Sequence, residues 1–189
     1  PRIVVDTNVL TAALISPGYP PTMRMQAFAA PMALDAKPDV SQEVGRLLFP
    51  YNYFSASIKH ADTGYRPVSP ARIITRTNME ITGPDPLALK FDICSVWPYK
   101  ILIDGNVVAD EKTNQDPDNE DPFVERNAFA TLAPGRHALE IIFDFVPRDG
   151  GFTLCYNYSD AQGWNSRHMV GKSDERVTFS LPDAGGTPQ

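Results

Sequence analysis

Two cysteines in 189 residues are too few for a disulfide framework, so a packed core must hold the fold. Cys94 and Cys155 both fall in strand-like stretches and read as two buried thiols, with a single bridge between them as the open alternative. No apolar run approaches the ~18 residues of a membrane-spanning helix. The opening residues lack the basic region and continuous apolar core of a secretory signal peptide. With a net charge of −6 and no basic cluster beyond two neighbours, the chain carries no electrostatic footprint for nucleic acid. It also lacks a G-x-S-x-G elbow, an H-E-x-x-H pair, a phosphate loop and a Cys-Cys metal pattern, and His60, His137 and His168 stand isolated. Nothing in these absences supports an enzyme.

Proline is abundant: 18 residues, which favours turns and extended segments over helices. The length suits one domain with an extension, and 42% apolar residues suffice for a core. From Tyr51 onward the apolar period is two. Tyr51, Tyr53 and Phe54 open a strand, and Ala71–Thr82 forms another, ended by Gly83-Pro84-Asp85-Pro86. Leu87, Leu89, Phe91 and Ile93 alternate with Lys90 and Asp92. Ile101 and Ile103 lead into Asp104-Gly105-Asn106, a strong hairpin signal. Phe123–Leu132, the run Leu139, Ile141, Phe143, Phe145, and the run Phe152, Leu154, Tyr156, Tyr158 follow, with Arg176–Leu181 last. About eight antiparallel strands at even spacing predict an all-β sandwich or jelly roll over residues 51–182, with 183–189 as a tail.

Residues 1–50 differ. Pro17, Pro20, Pro21, Pro31 and Pro38 alternate with Ala and Met, which predicts an extended Pro-rich N-terminal arm. Val40, Val44, Leu47 and Leu48 fall at helical spacing behind Ser41, so a short helix is expected there. Such an arm, weakly charged and apolar, is suited to lie along its own sandwich or a neighbouring subunit.

Two features carry candidate chemistry. Asp116, Asp118, Glu120 and Asp121 crowd carboxylates at near-alternating positions, as oxygen sites for Ca²⁺ do, although a solvated acidic loop would look the same. Trp97, Trp164 and Tyr65 fall in expected loops, where exposed rings serve as stacking platforms for sugars; alternatively the tryptophans plug the ends of the sandwich.

The stretch Pro98–Tyr158, with Ile103-Asp104-Gly105 and Leu132-Ala133-Pro134-Gly135-Arg136-His137, resembles glycan-binding β-sandwiches: the protective-antigen-type sugar-binding domains and jelly-roll carbohydrate-binding modules. That resemblance implies a sandwich, and in its sugar-binding members a calcium site holds the glycan. Separately, Arg2–Leu10 with Ala12–Gly18 resembles the opening of PIN-domain nucleases. It implies that Asp6, Glu43 and Asp116 or Asp118 would hold Mg²⁺ or Mn²⁺.

Taken together, these features set the leading expectation as a non-enzymatic assembly module of the virion kind (capsid decoration, cement or tail-associated), displayed on the virion surface. Its arm would contact subunits of a larger assembly, and it would be a homo-oligomer. A glycan-binding or adhesion module and a metal-dependent ribonuclease are the alternatives.

Overall fold

The computed structural model describes residues 20–29, 34–49, 53–55, 70–111, 125–145, 151–160 and 163–183. These residues form β1 (Met23–Ala29), a 3-10 turn (Val40–Gln42), β2 (Glu43–Phe49), β3 (Tyr53–Ser55), β4 (Ala71–Ile81), β5 (Leu87–Ser95) and β6 (Tyr99–Ile103). Then follow β7 (Asn106–Asp110), β8 (Glu125–Leu132), β9 (Gly135–Phe145), β10 (Gly151–Asp160), β11 (Gly163–Trp164), β12 (His168–Met169) and β13 (Val177–Ser180). The larger sheet runs β2-β1-β4-β9-β6-β7, with β13 also on β4. The smaller runs β11-β10-β5-β8, with β3 and β12 also on β10. Every described pairing is antiparallel.

The period-two pattern becomes the two inner faces. Ile73, Met79 and Ile81 on β4, with Leu139, Ile141, Phe143 and Phe145 on β9, face Leu89, Phe91 and Ile93 on β5 and Phe152, Leu154 and Tyr156 on β10. Phe143 and Phe152 stack between the sheets, 4.8 Å between centroids and 4° between planes.

Within the larger sheet β4 is the central strand. One edge pairs with β9 along its whole length; the other is shared end to end by β1 and β13. At that junction the buried Thr77 donates its hydroxyl to the Thr22 carbonyl at 2.8 Å, with the Ser180 carbonyl at 3.2 Å. This satisfies backbone groups where neither flanking strand continues the ladder.

Residues 20–29 and 34–49 are therefore not a separate arm. β1 is an interior strand, and the expected helix near Val40 is a single 3-10 turn followed by the strand β2. The edge that β1 offers outweighs the weak helical spacing of Val40–Leu48. Leu34 and Asp35, which precede β2, lie on the outer face of the larger sheet. There Leu34 packs with Phe28, Ile74, Ile142 and Leu102, and Asp35 pairs with Lys100. Residues 1–19, including Asp6, lie outside the described residues. Glu43 sits on β2, held by Arg46 and Gln26, with no helix to deliver it to a metal.

The two turn motifs fasten one another. Asp104 and Gly105 both take positive φ (51° and 77°), a two-residue turn whose twist suits a hairpin. Asp104 accepts hydrogen bonds from the Ala138 N–H at 2.8 Å and from His137 Nδ1 at 2.6 Å, while His137 Nε2 lies 2.9 Å from the Ala133 carbonyl. Both ring nitrogens thus face acceptors, which only the imidazolium can satisfy. Burial pulls the His137 pKa down, but the bonds to Asp104 and Ala133 outweigh it and the net displacement is upward.

A raised folded-state pKa contributes stability that is complete below the unfolded value of 6.5 and is lost as pH rises through the folded value. Urea midpoints for the native chain and His137→Gln are expected to differ more near about pH 5.5 than near about pH 8.5. Equal differences at both would refute the charged staple.

Candidate functional site

Strand alternation turns every second side chain of β10, β5 and β8 to the outer face of the smaller sheet. Its rows are fixed by register: Asn157 beside Lys90 beside Phe129, then Cys155 beside Asp92 beside Asn127, then Thr153 beside Cys94 beside Glu125. Cys94 and Cys155 are thus half-buried and diagonal on neighbouring strands, with no disulfide joining them. Ser159 pairs with Trp164 at the opposite end of the face.

Phe129 is 63% exposed and Trp164 49%, and they are the two aromatics among the exposed large apolar side chains of the described residues. They approach across β10 and β5 from strands on opposite sides, with ring centroids 6.1 Å apart and planes tilted by 57°. Leaving two large rings together in water is unfavourable unless something covers them. Beyond the rings the floor is polar. Asp92, only 5% exposed, has Lys90 Nζ at 2.7 Å and Arg167 Nη1 at 4.0 Å.

Trp164 is held by its hairpin. Gly163 takes φ +109°, a conformation open to glycine, and β11 pairs with Ser159 and Asp160. Next to it Asn165 locks onto Tyr158 twice: its N–H donates to the Tyr158 carbonyl at 2.9 Å, and its Oδ1 accepts the Tyr158 N–H at 2.7 Å. The ring is therefore presented on a fixed backbone.

Trp97 corrects the expectation. It is 3% exposed, stacked on Phe143 at 5.8 Å and tilted against Phe145 at 5.0 Å. Ser95 turns the chain inward here, its hydroxyl donating to the Trp97 carbonyl and accepting the Trp97 N–H. Trp97 is thus a core residue and cannot stack on a ligand. Tyr65 and the acidic positions Asp116, Asp118, Glu120 and Asp121 lie outside the described residues, so the candidate Ca²⁺ loop is not placed. Among the described residues, no group of three or more His, Cys, Asp and Glu gathers as metal ligands would.

Phe129 was missed in sequence, although the alternation that turns Ala128 and Ala130 inward also turns Phe129 outward. A second polar cluster is structural. The Tyr156 phenol donates to the Lys172 carbonyl at 2.8 Å, and Asp174 accepts the Arg176 and Val177 N–H groups, fixing residues 172–177. Burial, then the Asp174 charge, push the Tyr156 pKa far up, so this phenol stays protonated.

No protein-family model matches the chain, and no curated protein does. Solved structures resemble it in fold. The PA14 domain of the MpAFP antifreeze protein aligns with TM-score 0.53 at 16% identity, covering 87% of this chain and 93% of that one. The A domain of epithelial adhesin 9 from Candida glabrata, in complex with Galβ1-4GlcNAc, aligns with TM-score 0.51 at 9% identity, covering 86% and 90%. A β-glucosidase from Kluyveromyces marxianus aligns with TM-score 0.50 at 11% identity over 71% of this chain. The match spans only 16% of that enzyme's length. At such identities the likeness concerns the fold alone, an antiparallel β-sandwich. It gives no support to the PIN-like opening.

Trp97→Ala is expected to cost about 3–5 kcal/mol in denaturant unfolding, and Trp164→Ala less than about 1 kcal/mol. Asn165→Ala, made in a Trp97→Phe background, is expected to lower the fluorescence anisotropy of Trp164. An unchanged anisotropy would show that the hairpin alone holds the ring.

Proposed function

We propose that this chain is a non-catalytic glycan-binding module of the adhesin type. The observation that carries the reading is the exposed Trp164–Phe129 pair on the outer face of the smaller sheet, beside hydrogen-bonding side chains. Aromatic faces stack on the apolar C–H faces of sugar rings, and neighbouring amides, carboxylates and ammonium groups meet the hydroxyls. The fold supports the reading by analogy, since a similar sandwich in the Candida adhesin was captured with a disaccharide.

The virion assembly reading took its weight from an arm over residues 1–50 that would dock on neighbouring subunits. With residues 20–29 and 34–49 committed to the larger sheet and its outer face, that observation no longer favours it. The nuclease reading needs alternating helices and parallel strands, against antiparallel pairing throughout the described sheets.

A glycan array with the native chain, Trp164→Ala and Phe129→Ala tests the proposal, run with Ca²⁺ and with chelator. At least about tenfold loss of binding in each variant is expected, equivalent to about 1.4 kcal/mol. If chelation abolishes binding while Trp164→Ala does not, the acidic loop and not the sheet face is the site. Uniform silence across the array would overturn the reading.

A further inference from the structure

We infer that the outer face of the smaller sheet carries a soft-metal site of three sulfurs, Cys94, Cys155 and Met169, whose ligand is a monovalent ion of the Cu(I) class. The inference is independent of the glycan reading, because it uses neither exposed ring. Register brings the sulfurs together. Cys155 on β10 stands directly beside Met169 on β12, and Thr153, two residues before it, stands beside Cys94 on β5. All three sulfur side chains face outward. Their chain neighbours fix the alternation: Ile93, Leu154, Tyr156 and Val170 lie in the core, and His168 meets the Tyr156 ring at 5.7 Å. Cys94, Cys155 and Met169 are each half-buried. These are the chain's two cysteines, joined by the one methionine among the described residues that is not sealed in the core, since Met23, Met25 and Met79 are.

Spacing chooses the chemistry. Diagonal partners on neighbouring antiparallel strands have Cα atoms ~7–8 Å apart, whereas a disulfide needs about 4.4–6.8 Å. A direct S–S bond therefore requires the strands to shift, in keeping with two unjoined cysteines. One metal ion between two thiolates relaxes that demand. With metal–sulfur bonds of about 2.3 Å the sulfurs stand up to ~4.6 Å apart, against ~2.05 Å in a disulfide. Met169, directly opposite Cys155 and on a long, adaptable side chain, supplies the third donor.

The donor set then selects the ion. Thiolates with a thioether are soft ligands that favour Cu(I). Zn²⁺ takes four ligands in a closed site, and among the described residues no third His, Cys, Asp or Glu gathers with the two thiols. Asp92, beside Cys155, is engaged by Lys90 at 2.7 Å. Binding replaces two S–H bonds by two metal–sulfur bonds and releases two protons to solvent, so the loaded site is singly negative. Arg167, two residues before Met169 and 4.0 Å from Asp92, places a positive charge beside it.

Anaerobic titration of the reduced native chain against the Cu(I) complex of ferrozine, a colorimetric chelator, tests this. One ion per chain is expected to transfer, with affinity falling as pH falls because protons compete for both thiolates. Cys94→Ser and Cys155→Ser should each weaken binding at least about a hundredfold, and Met169→Leu about tenfold. X-ray absorption should count three sulfurs at about 2.3 Å in the native complex and two in Met169→Leu. The native count needs no variant to fold. No ion retained against ferrozine, binding that survives either cysteine substitution, a native count of two sulfurs, or a Cys94–Cys155 disulfide in chain purified without reductant overturns the site. None of these outcomes bears on the glycan array.

Discussion

The stack of Phe143 on Phe152 is the contact on which the rest of the architecture depends. One ring belongs to the larger sheet and the other to the smaller, and they meet nearly parallel at the centre of the sandwich. Trp97 extends the column on the Phe143 side, and Tyr99 meets Phe152 edge-on. With those side chains committed inward, the pleat leaves no choice for their neighbours. Every residue one position away must face outward, because a slip of one register position would turn the whole core to solvent. The outer face of the smaller sheet, with Lys90, Asp92, Asn127, Phe129 and Asn157, is thus a consequence of how the core is filled.

The same logic explains why two tryptophans near loops have opposite fates. Trp97 follows β5 after two residues, and the Ser95 hydroxyl bends the chain so that the indole meets Phe143 and Phe145. Trp164 lies on a hairpin at the sheet edge, where the backbone is fixed by Asn165 and the ring can reach only the outer face. Sequence shows a tryptophan beside turn residues in both places. What separates them is the direction of one turn, and that depends on tertiary hydrogen bonds absent from local pattern.

Much of the fold was legible. Ala71–Thr82 became β4, the alternating runs from Leu87 to Tyr158 became β5, β6, β9 and β10 with the expected faces inward, and Asp104-Gly105 made the expected hairpin. The Ile-Asp-Gly and Gly-x-His motifs, which specified turns in sequence, meet in space through Asp104 and His137. What stayed hidden was β1 and β2. Met23, Met25 and Ala27 alternate correctly, but Met and Ala are weak strand formers and prolines surround them, so composition suggested an arm. Phe129 was hidden for a different reason. An apolar residue in an apolar strand looks like core until its two alanine neighbours are recognised as the inward pair.

The position of the rings also limits what kind of chemistry the face can do. Asp92, its buried carboxylate, has Lys90 Nζ at 2.7 Å and Arg167 Nη1 at 4.0 Å. A glycosidic bond needs one carboxyl to give a proton and a second placed on the opposite side of the sugar. On the described part of this face two rings stand on fixed backbone beside one buried carboxylate and its two cations. The rings and their polar floor belong to strands and a clamped hairpin, so the geometry of this face is set by the same ladder that fills the core.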